Sequence, residues 1–377
     1  MNYYIIAGEA SGDLHAANLI KALKKGDSSA HFRAWGGDRM ADQGAEVVKH
    51  YKYLAFMGFV EVISNLSTIF KNLKFCKEDI ISFHPDVLIL VDYPGFNLRI
   101  AKWAHQMGIK VFYYISPQIW AWKQSRVKEI RQNVDKMFVI LPFEKDFYQK
   151  FGVQVDFVGH PLLDAIQEEN EIRLLDGDNF KVYNKLDNRP IVALLPGSRK
   201  QEITEMLHQM LSVINDFPDY QFVIAGVNSI NESFYQKIIG TRDVKLTFGK
   251  THDLLNNAVA ALVTSGTATL ETALLNVPEV VCYKGSYISY LIARQVIKVK
   301  YISLVNLIMD RLVVKELIQV DLNRENIRKE LELLLFEPTK RQKLFDDYKS
   351  LQQILGGHGA SEKAADLMLS YLNQKSK

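Results

Sequence analysis

Seven short apolar runs recur along the chain: YYIIA (3–7), DVLILVD (86–92), KVFYYIS (110–116), KMFVILP (136–142), PIVALLP (190–196), QFVIAG (221–226) and AALVTS (260–265). Runs of this length without polar alternation suit strands buried on both faces, and the amphipathic stretches between them suit helices. Strands of that kind belong to parallel sheets covered on either side, so the expectation is α/β with doubly wound parallel sheets. The 377 residues exceed one ordinary core, and a hydrophobic fraction of 48% provides enough apolar material for two. Between the two series lies Gln167 to Arg189, acidic and Asn-rich, which predicts a linker or surface insertion and a boundary near 160–190. Beyond Pro338 the pattern is helical, with a Gly-rich break and a helix start inside LQQILGGHGASEKAADLMLSYL (351–372).

Composition excludes several classes of function. Lys plus Arg number 46 against 43 acidic residues, so no general polyanion-binding signal exists and nucleic acid is not expected as a partner. Two cysteines, Cys76 and Cys282, cannot build a disulfide framework, and a reducing cytoplasmic setting fits. The opening MNYYIIAGEASGD lacks a basic n-region and a long apolar h-region, so a first strand is expected rather than a signal peptide. No window is long and apolar enough to predict a spanning helix. Zinc spacings, a Walker A loop and a G-x-S-x-G elbow are absent from the sequence, and Asp176-Gly177-Asp178 lies in the polar stretch without a strand before it, so no metal site is expected.

Ligands of parallel α/β sheets sit beyond the carboxyl ends of the strands, which directs attention to the residues leaving each run. GEASGDLHA (8–16) is a small-residue strand-to-helix turn carrying Glu9. Asp92, at the end of ILVD, is placed to accept a proton from a bound hydroxyl in a partly desolvated crevice; capping the next helix is the equal alternative. YYISPQIWAWKQSR (113–126) crowds aromatics at a strand exit, for sugar stacking, a membrane interface or core packing. In LLPGSRKQEI (194–203), Gly197 and Ser198 leave a strand and Arg199 stands beside a helix start, a suitable clamp for phosphate. In ALVTSGTATLE (261–271), Ser265, Gly266, Thr267 and Ala268 allow close backbone approach to a diphosphate, and Glu271 is placed for paired ribose hydroxyls. A carboxylate in the first half and two phosphate-type turns in the second suggest a nucleotide on one domain and an acceptor on the other.

Two stretches depart from an ordinary enzyme surface. Phe56 to Phe75 sets Phe59, Ile63, Leu66, Phe70 and Leu73 on one helical face, with Met57, Val60, Val62 and Ile69 widening it; a buried domain helix and a helix leaning into lipid beside Lys71, Lys74 and Lys77 are both open readings. Residues 280–309 hold no acidic residue but carry Lys284, Arg294, Lys298 and Lys300 among tyrosines, a pattern for an anionic lipid surface or a solvated basic face.

GEASGD (8–13), MGFVEV (57–62), D-x-P-x-F-N (92–97), SPxxWAW (116–122), PGSR (196–199), SGTATLE (265–271) and SLVNL (303–307), in this order across nearly the whole chain, together resemble the lipid-A-disaccharide synthases. The resemblance implies a GT-B fold: two Rossmann-like domains facing a cleft, with a C-terminal helix returning to the first. It implies an N-terminal acceptor and membrane-facing domain over 1–165, completed by 345–377, and a UDP-sugar domain over 166–344. The implied reaction is inverting and metal-independent. It joins UDP-2,3-diacylglucosamine to 2,3-diacylglucosamine 1-phosphate through a β-1′,6 bond, with no cofactor, at the cytoplasmic leaflet of the inner membrane. Residue by residue, the resemblance makes Asp92 the general base and places Glu9, Arg199 and Asn306 among the polar groups needed. Gly197, Ser198, Ser265, Gly266, Thr267, Ala268 and Glu271 fall to the donor, and Met57, Phe59, Val60, Val62, Ile63 and Leu66 to acyl chains or membrane. Val305 stands where the family often has Pro, which puts only the local turn in doubt. A UDP-N-acetylglucosamine 2-epimerase-like isomerase on the same fold is the alternative, and oligomerisation is left open.

Overall fold

The computed structural model describes residues 1–54, 66–176, 180–285 and 300–374. The chain divides into two compact units, Met1–Ala165 with Leu355–Lys377, and Ile166–Ile354. Each is built on one parallel sheet. In the first unit, β1 (Asn2–Ala7), β2 (His31–Gly36), β3 (Glu46–His50), β4 (Val87–Val91), β5 (Val111–Tyr114), β6 (Lys136–Val139) and β7 (Asp156–Phe157) pair in the order β3-β2-β1-β4-β5-β6-β7. The second unit contains β8 (Ile191–Leu195), β9 (Gln221–Gly226), β10 (Val244–Phe248), β11 (Ala258–Thr264), β12 (Glu279–Tyr283) and β13 (Lys315–Ile318), in the order β10-β9-β8-β11-β12-β13. Both are doubly wound, Rossmann-type orders, and in each the direction of winding reverses between two central strands: β1 and β4 in the first, β8 and β11 in the second.

The sequence explains which strands are central. VLILV in β4 and IVALL in β8 are buried along their whole length, as strands covered on both faces must be. Each buried Leu, Ile or Val contributes about 1.5–3 kcal/mol of burial. The seven apolar runs all become strands: β1, β4, β5, β6, β8, β9 and β11. The six others carry charged or polar residues, as in HFRAWG, VKLTF and KELI, and four of them (β3, β7, β10 and β13) lie at sheet edges.

The final helix, Ala360–Asn373, packs against the helix Ala10–Gly26 of the first unit. The Asp164 carboxylate accepts from the Gly359 and Ser361 amides at 2.7 and 3.0 Å, capping that helix with negative charge, and Lys25 pairs with Glu362. Within the stretch expected as a linker or surface insertion, helix Leu162–Asp176 covers the first part and Phe180–Tyr183 forms another short helix. Gly177 and Asp178 of the D-x-D sequence lie outside the described residues.

Candidate active site

In the first unit the reversal point brings Glu9, just after β1, beside Asp92, just after β4. Both Asp92 and Tyr93 adopt left-handed backbone, with φ of 43° and 48°. Such conformations in non-glycine residues cost about 1–3 kcal/mol each and persist only when surroundings enforce them. Here Asn97, wholly buried, donates from Nδ2 to the Asp92 and Val91 carbonyls at 2.8 and 3.2 Å, while the Tyr113 hydroxyl donates to the Asp92 carbonyl at 2.5 Å. Tyr93 donates its hydroxyl to the Leu54 carbonyl at 3.0 Å, and its ring lies so close to Gly8 that a Cβ there would sit 2.3 Å from the ring. Gly8 is therefore required for the loop to close over β1.

The helix Pro94–Gln106 starts with Pro at its first position and has Tyr93 as its N-cap, so Asp92 does not cap it. The Asp92 carboxyl is pushed up to about 7, first by burial and then by the nearby Glu9 charge, with a hydrogen bond from the Tyr93 backbone opposing both. A carboxylate of that proton affinity suits general base chemistry near neutrality. Asp13, by contrast, is committed to structure, accepting the Gly37, Arg39 and Met40 amides. In the SPQIWAW segment Trp120 is buried and packs edge-on against Phe143, and Ser116 bonds the Tyr148 hydroxyl at 2.7 Å, which favours the core reading for those groups.

In the second unit the turns after β8 and β11 lie side by side, since a Cβ on Gly197 would contact Thr264 Cγ2 at 3.6 Å. Arg199 precedes the helix Lys200–Leu211, and its largely exposed guanidinium pairs with Glu202 at 3.4 Å; the Ser198 amide also donates to Glu202, at 3.3 Å. Gly266, with φ of 154°, N-caps the helix Thr267–Leu274, and among the described residues nothing lies within 4 Å of where its Cβ would be. A side chain there would fill open space directly before a helix whose first backbone N–H groups lack intrahelical acceptors. The Ser265 hydroxyl donates to the Ile302 carbonyl at 2.9 Å, tying this turn to the SLVNL segment.

Asn306 is fully buried in that segment. Its Oδ1 accepts from the Val313 and Val314 amides, and its Nδ2 donates to the Val314 carbonyl and Glu316. Glu316 in turn accepts the Ile302 and Ser303 amides, so the amide of Asn306 shapes the loop from within. Glu271, on the helix Thr267–Leu274, lies 3.6 Å from His252 Nε2, whose Nδ1 bonds Glu169. Burial opposes charge on His252, yet the two glutamates outweigh it and hold the imidazole up at about 10.

The structure thus joins Glu9 with Asp92 in one unit, and Gly197, Ser198, Arg199, Ser265, Gly266, Thr267 and Ala268 around adjoining turns in the other. Met57, Phe59, Val60, Val62 and Ile63 lie outside the described residues, and Leu66 is described only as the start of the helix Leu66–Phe83. Sequence reasoning missed Asn97, Tyr113, His252 and Glu169. Asn97 sits in the D-x-P-x-F-N pattern, four residues past the cap, and was the one with a signal; Tyr113 is hidden in an apolar run.

Two parallel sheets of this order, each reversing its direction of winding between two central strands, define the two-domain architecture of GT-B glycosyltransferases and nucleotide-sugar epimerases. Solved structures agree. A putative UDP-N-acetylglucosamine 2-epimerase from Listeria monocytogenes matches with TM-score 0.69 at 14% identity, covering 100% of this chain and 97% of that one. The glycotransferase of kitacinnamycin matches with TM-score 0.66 at 14% identity, over 98% and 99%. These distant likenesses concern the fold alone, which is all that the isomerase alternative has to stand on.

The family described as Lipid-A-disaccharide synthetase matches residues 3–369. Lipid-A-disaccharide synthase of Syntrophus aciditrophicus is 40% identical, covering 98% of this chain and 97% of that protein. Lipid-A-disaccharide synthase 1 of Legionella pneumophila (strain Paris) is 35% identical, over 98% and 97%. The chain belongs to the lipid-A-disaccharide synthase family, glycosyltransferases of lipid A disaccharide biosynthesis. Among the described residues, no helix is long and apolar enough to cross a membrane.

Proposed function

We propose that this chain condenses UDP-2,3-diacylglucosamine with 2,3-diacylglucosamine 1-phosphate to give the β-1′,6-linked disaccharide 1-phosphate and UDP. The observation that carries the chemistry is Asp92, raised to about 7 beside Glu9 at the carboxyl end of β4. The acceptor's 6-hydroxyl attacks C1 of the donor sugar from the face opposite UDP, its proton passes to the Asp92 carboxylate, and the C1–O bond to UDP breaks with inversion. On this reading Glu9 tunes the base, and Asn97 and Tyr113 fix the loop that presents it.

The second unit is assigned to the donor. The helix N-terminus at Thr267–Ala268 and the Arg199 guanidinium would take up charge on the departing diphosphate, a role that needs no metal ion. Glu271 is assigned to the ribose, and Asn306 to shaping the loop tied to Ser265. The first unit is assigned to the acceptor and to peripheral contact with the cytoplasmic leaflet of the inner membrane. In support, Phe70 and Phe75 are exposed on the helix Leu66–Phe83 beside exposed Lys71 and Lys74, while Leu73 and Cys76 face the core. The test is to incubate purified protein with both acylated sugars, with and without EDTA. Disaccharide and UDP in equal amounts under both conditions are expected; loss of activity in EDTA, restored by magnesium, would refute metal independence, and UDP without disaccharide would refute the transfer.

A further inference from the structure

The helices Leu162–Asp176, Thr251–Asn256 and Thr267–Leu274 each contribute one side chain to a three-residue array within the second unit: Glu169, His252 and Glu271. His252 Nδ1 bonds Glu169 Oε2, and His252 Nε2 lies 3.6 Å from Glu271 Oε2. Both ring nitrogens thus face carboxylates. A neutral imidazole offers one N–H and one lone pair, so one of the two carboxylates would confront a lone pair. Only the imidazolium satisfies both sides, and the array then carries one net negative charge centred on an internal cation.

We propose that His252 is a positioning residue for the nucleotide: its imidazolium, anchored by Glu169, holds the Glu271 carboxylate oriented toward the ribose hydroxyls. The proposal rests on the reading of Glu271 as the ribose ligand. The geometry favours it over a general structural ion pair in two ways. Glu271 stands five residues into a helix that begins at the Gly266 turn, so its carboxylate belongs to the same short element as the proposed diphosphate contacts. The pair is also lopsided: the tight bond is made to Glu169, on a helix remote in sequence, while the looser 3.6 Å contact leaves Glu271 able to share its charge with hydroxyl donors. A rotamer-rich glutamate left without this partner would have to be ordered by the nucleotide itself, at a cost to affinity.

The experiment measures binding of UDP and of 2′,3′-dideoxy-UDP by calorimetry to the full chain and to Glu271→Gln, His252→Gln, His252→Arg and Glu169→Gln. The unaltered protein is expected to prefer UDP by on the order of tenfold or more, since hydroxyls bonded to a carboxylate make strong hydrogen bonds. His252→Gln should lose most of that preference with little change toward the dideoxy nucleotide. His252→Arg should restore it, Glu169→Gln should lose part of it, and the double variant with Glu271→Gln should be no worse than Glu271→Gln alone. Equal weakening toward both nucleotides in His252→Gln, or an unchanged preference, would overturn the proposal and leave a merely structural pair. A preference that survives Glu271→Gln would instead overturn the ribose reading itself, and the positioning role with it.

Discussion

Replacing Asp92 by Asn is expected to do two opposite things, both traceable to one environment. The carboxyl rises from an ordinary 3.8 to about 7 because burial and the Glu9 charge penalise its ionised form in the fold. At about 1.4 kcal/mol per tenfold change in proton affinity, that is at most about 4 kcal/mol, lessened by the solvent that reaches the partly buried side chain. The folded state holds this proton more tightly than the unfolded chain. The neutral carboxyl is therefore no burden at pH below the unfolded value, and stability falls as pH rises toward 7, levelling above it. Asn is nearly isosteric and never ionises. Above pH 7 the variant should melt higher than the unaltered protein, by several degrees at about 2–4 °C per kcal/mol for a unit of this size, with the gain shrinking toward nothing near pH 4. Turnover should fall by at least about a hundredfold, because the attacking hydroxyl loses its proton acceptor, with little change in UDP affinity. In the unaltered protein kcat should climb with pH up to about 7 and then level. Melting curves at pH 4 and 8.5, with kcat measured across the same range, check all of this. A variant with turnover within a few-fold of normal would remove Asp92 as base, and a melting gain equal at both pH values would show that its carboxylate carries no electrostatic strain.

Gly8→Ala should destabilise the first unit by about 1–3 kcal/mol and lower turnover at least tenfold, since the new Cβ meets the Tyr93 ring; unchanged melting and kcat would show that the ring swings away freely. Arg199→Ala should depress kcat more than UDP affinity if its contact strengthens as diphosphate charge develops, which steady-state kinetics beside calorimetry will separate; equal losses would make it a ground-state clamp. Phe70→Ser combined with Lys71→Ser and Lys74→Ser should cut sedimentation with vesicles containing anionic lipid by on the order of tenfold or more while leaving melting unchanged, and undiminished binding would discard this helix as a membrane contact.

The central strands were legible because full burial removes every polar alternation: VLILV and IVALL admit few other readings. The edge strands were not, since EVVKH and KELI have half-exposed faces where solvent tolerates Lys and Glu, and their extended conformation is set by the neighbour they pair with. The sequence from Gln167 to Arg189 reads as a linker or surface insertion for a similar reason, although its first ten residues belong to the helix Leu162–Asp176. Its EENE run marks no apolar stripe, yet it supplies Glu169 to His252. At the site, Asp92 could be picked out as the one carboxylate ending an unbroken apolar run, but its left-handed backbone could not. That conformation is imposed by Asn97 and by Tyr113 of the adjacent strand, and no local preference of Asp-Tyr-Pro announces it.

Environment, more than residue type, divides the work among the acidic side chains at these strand exits. Asp92 sits with a like charge in a desolvated crevice, so it holds a proton near neutrality and can receive one from a substrate. Glu271 faces the Nε2 of His252 at 3.6 Å, and in the proposed function its carboxylate accepts hydrogen bonds from hydroxyls rather than their protons. Asp13 and Glu316 meet backbone amides instead and serve as caps and loop clamps. The proposed transfer asks two different things of its carboxylates: one takes the proton of an attacking sugar hydroxyl, and the other only accepts hydrogen bonds from the ribose. In the proposed function the Glu9–Asp92 pair on the first sheet and the Glu169–His252–Glu271 array on the second fill these roles by opposite means, like-charge crowding in the one and an enclosed cation in the other.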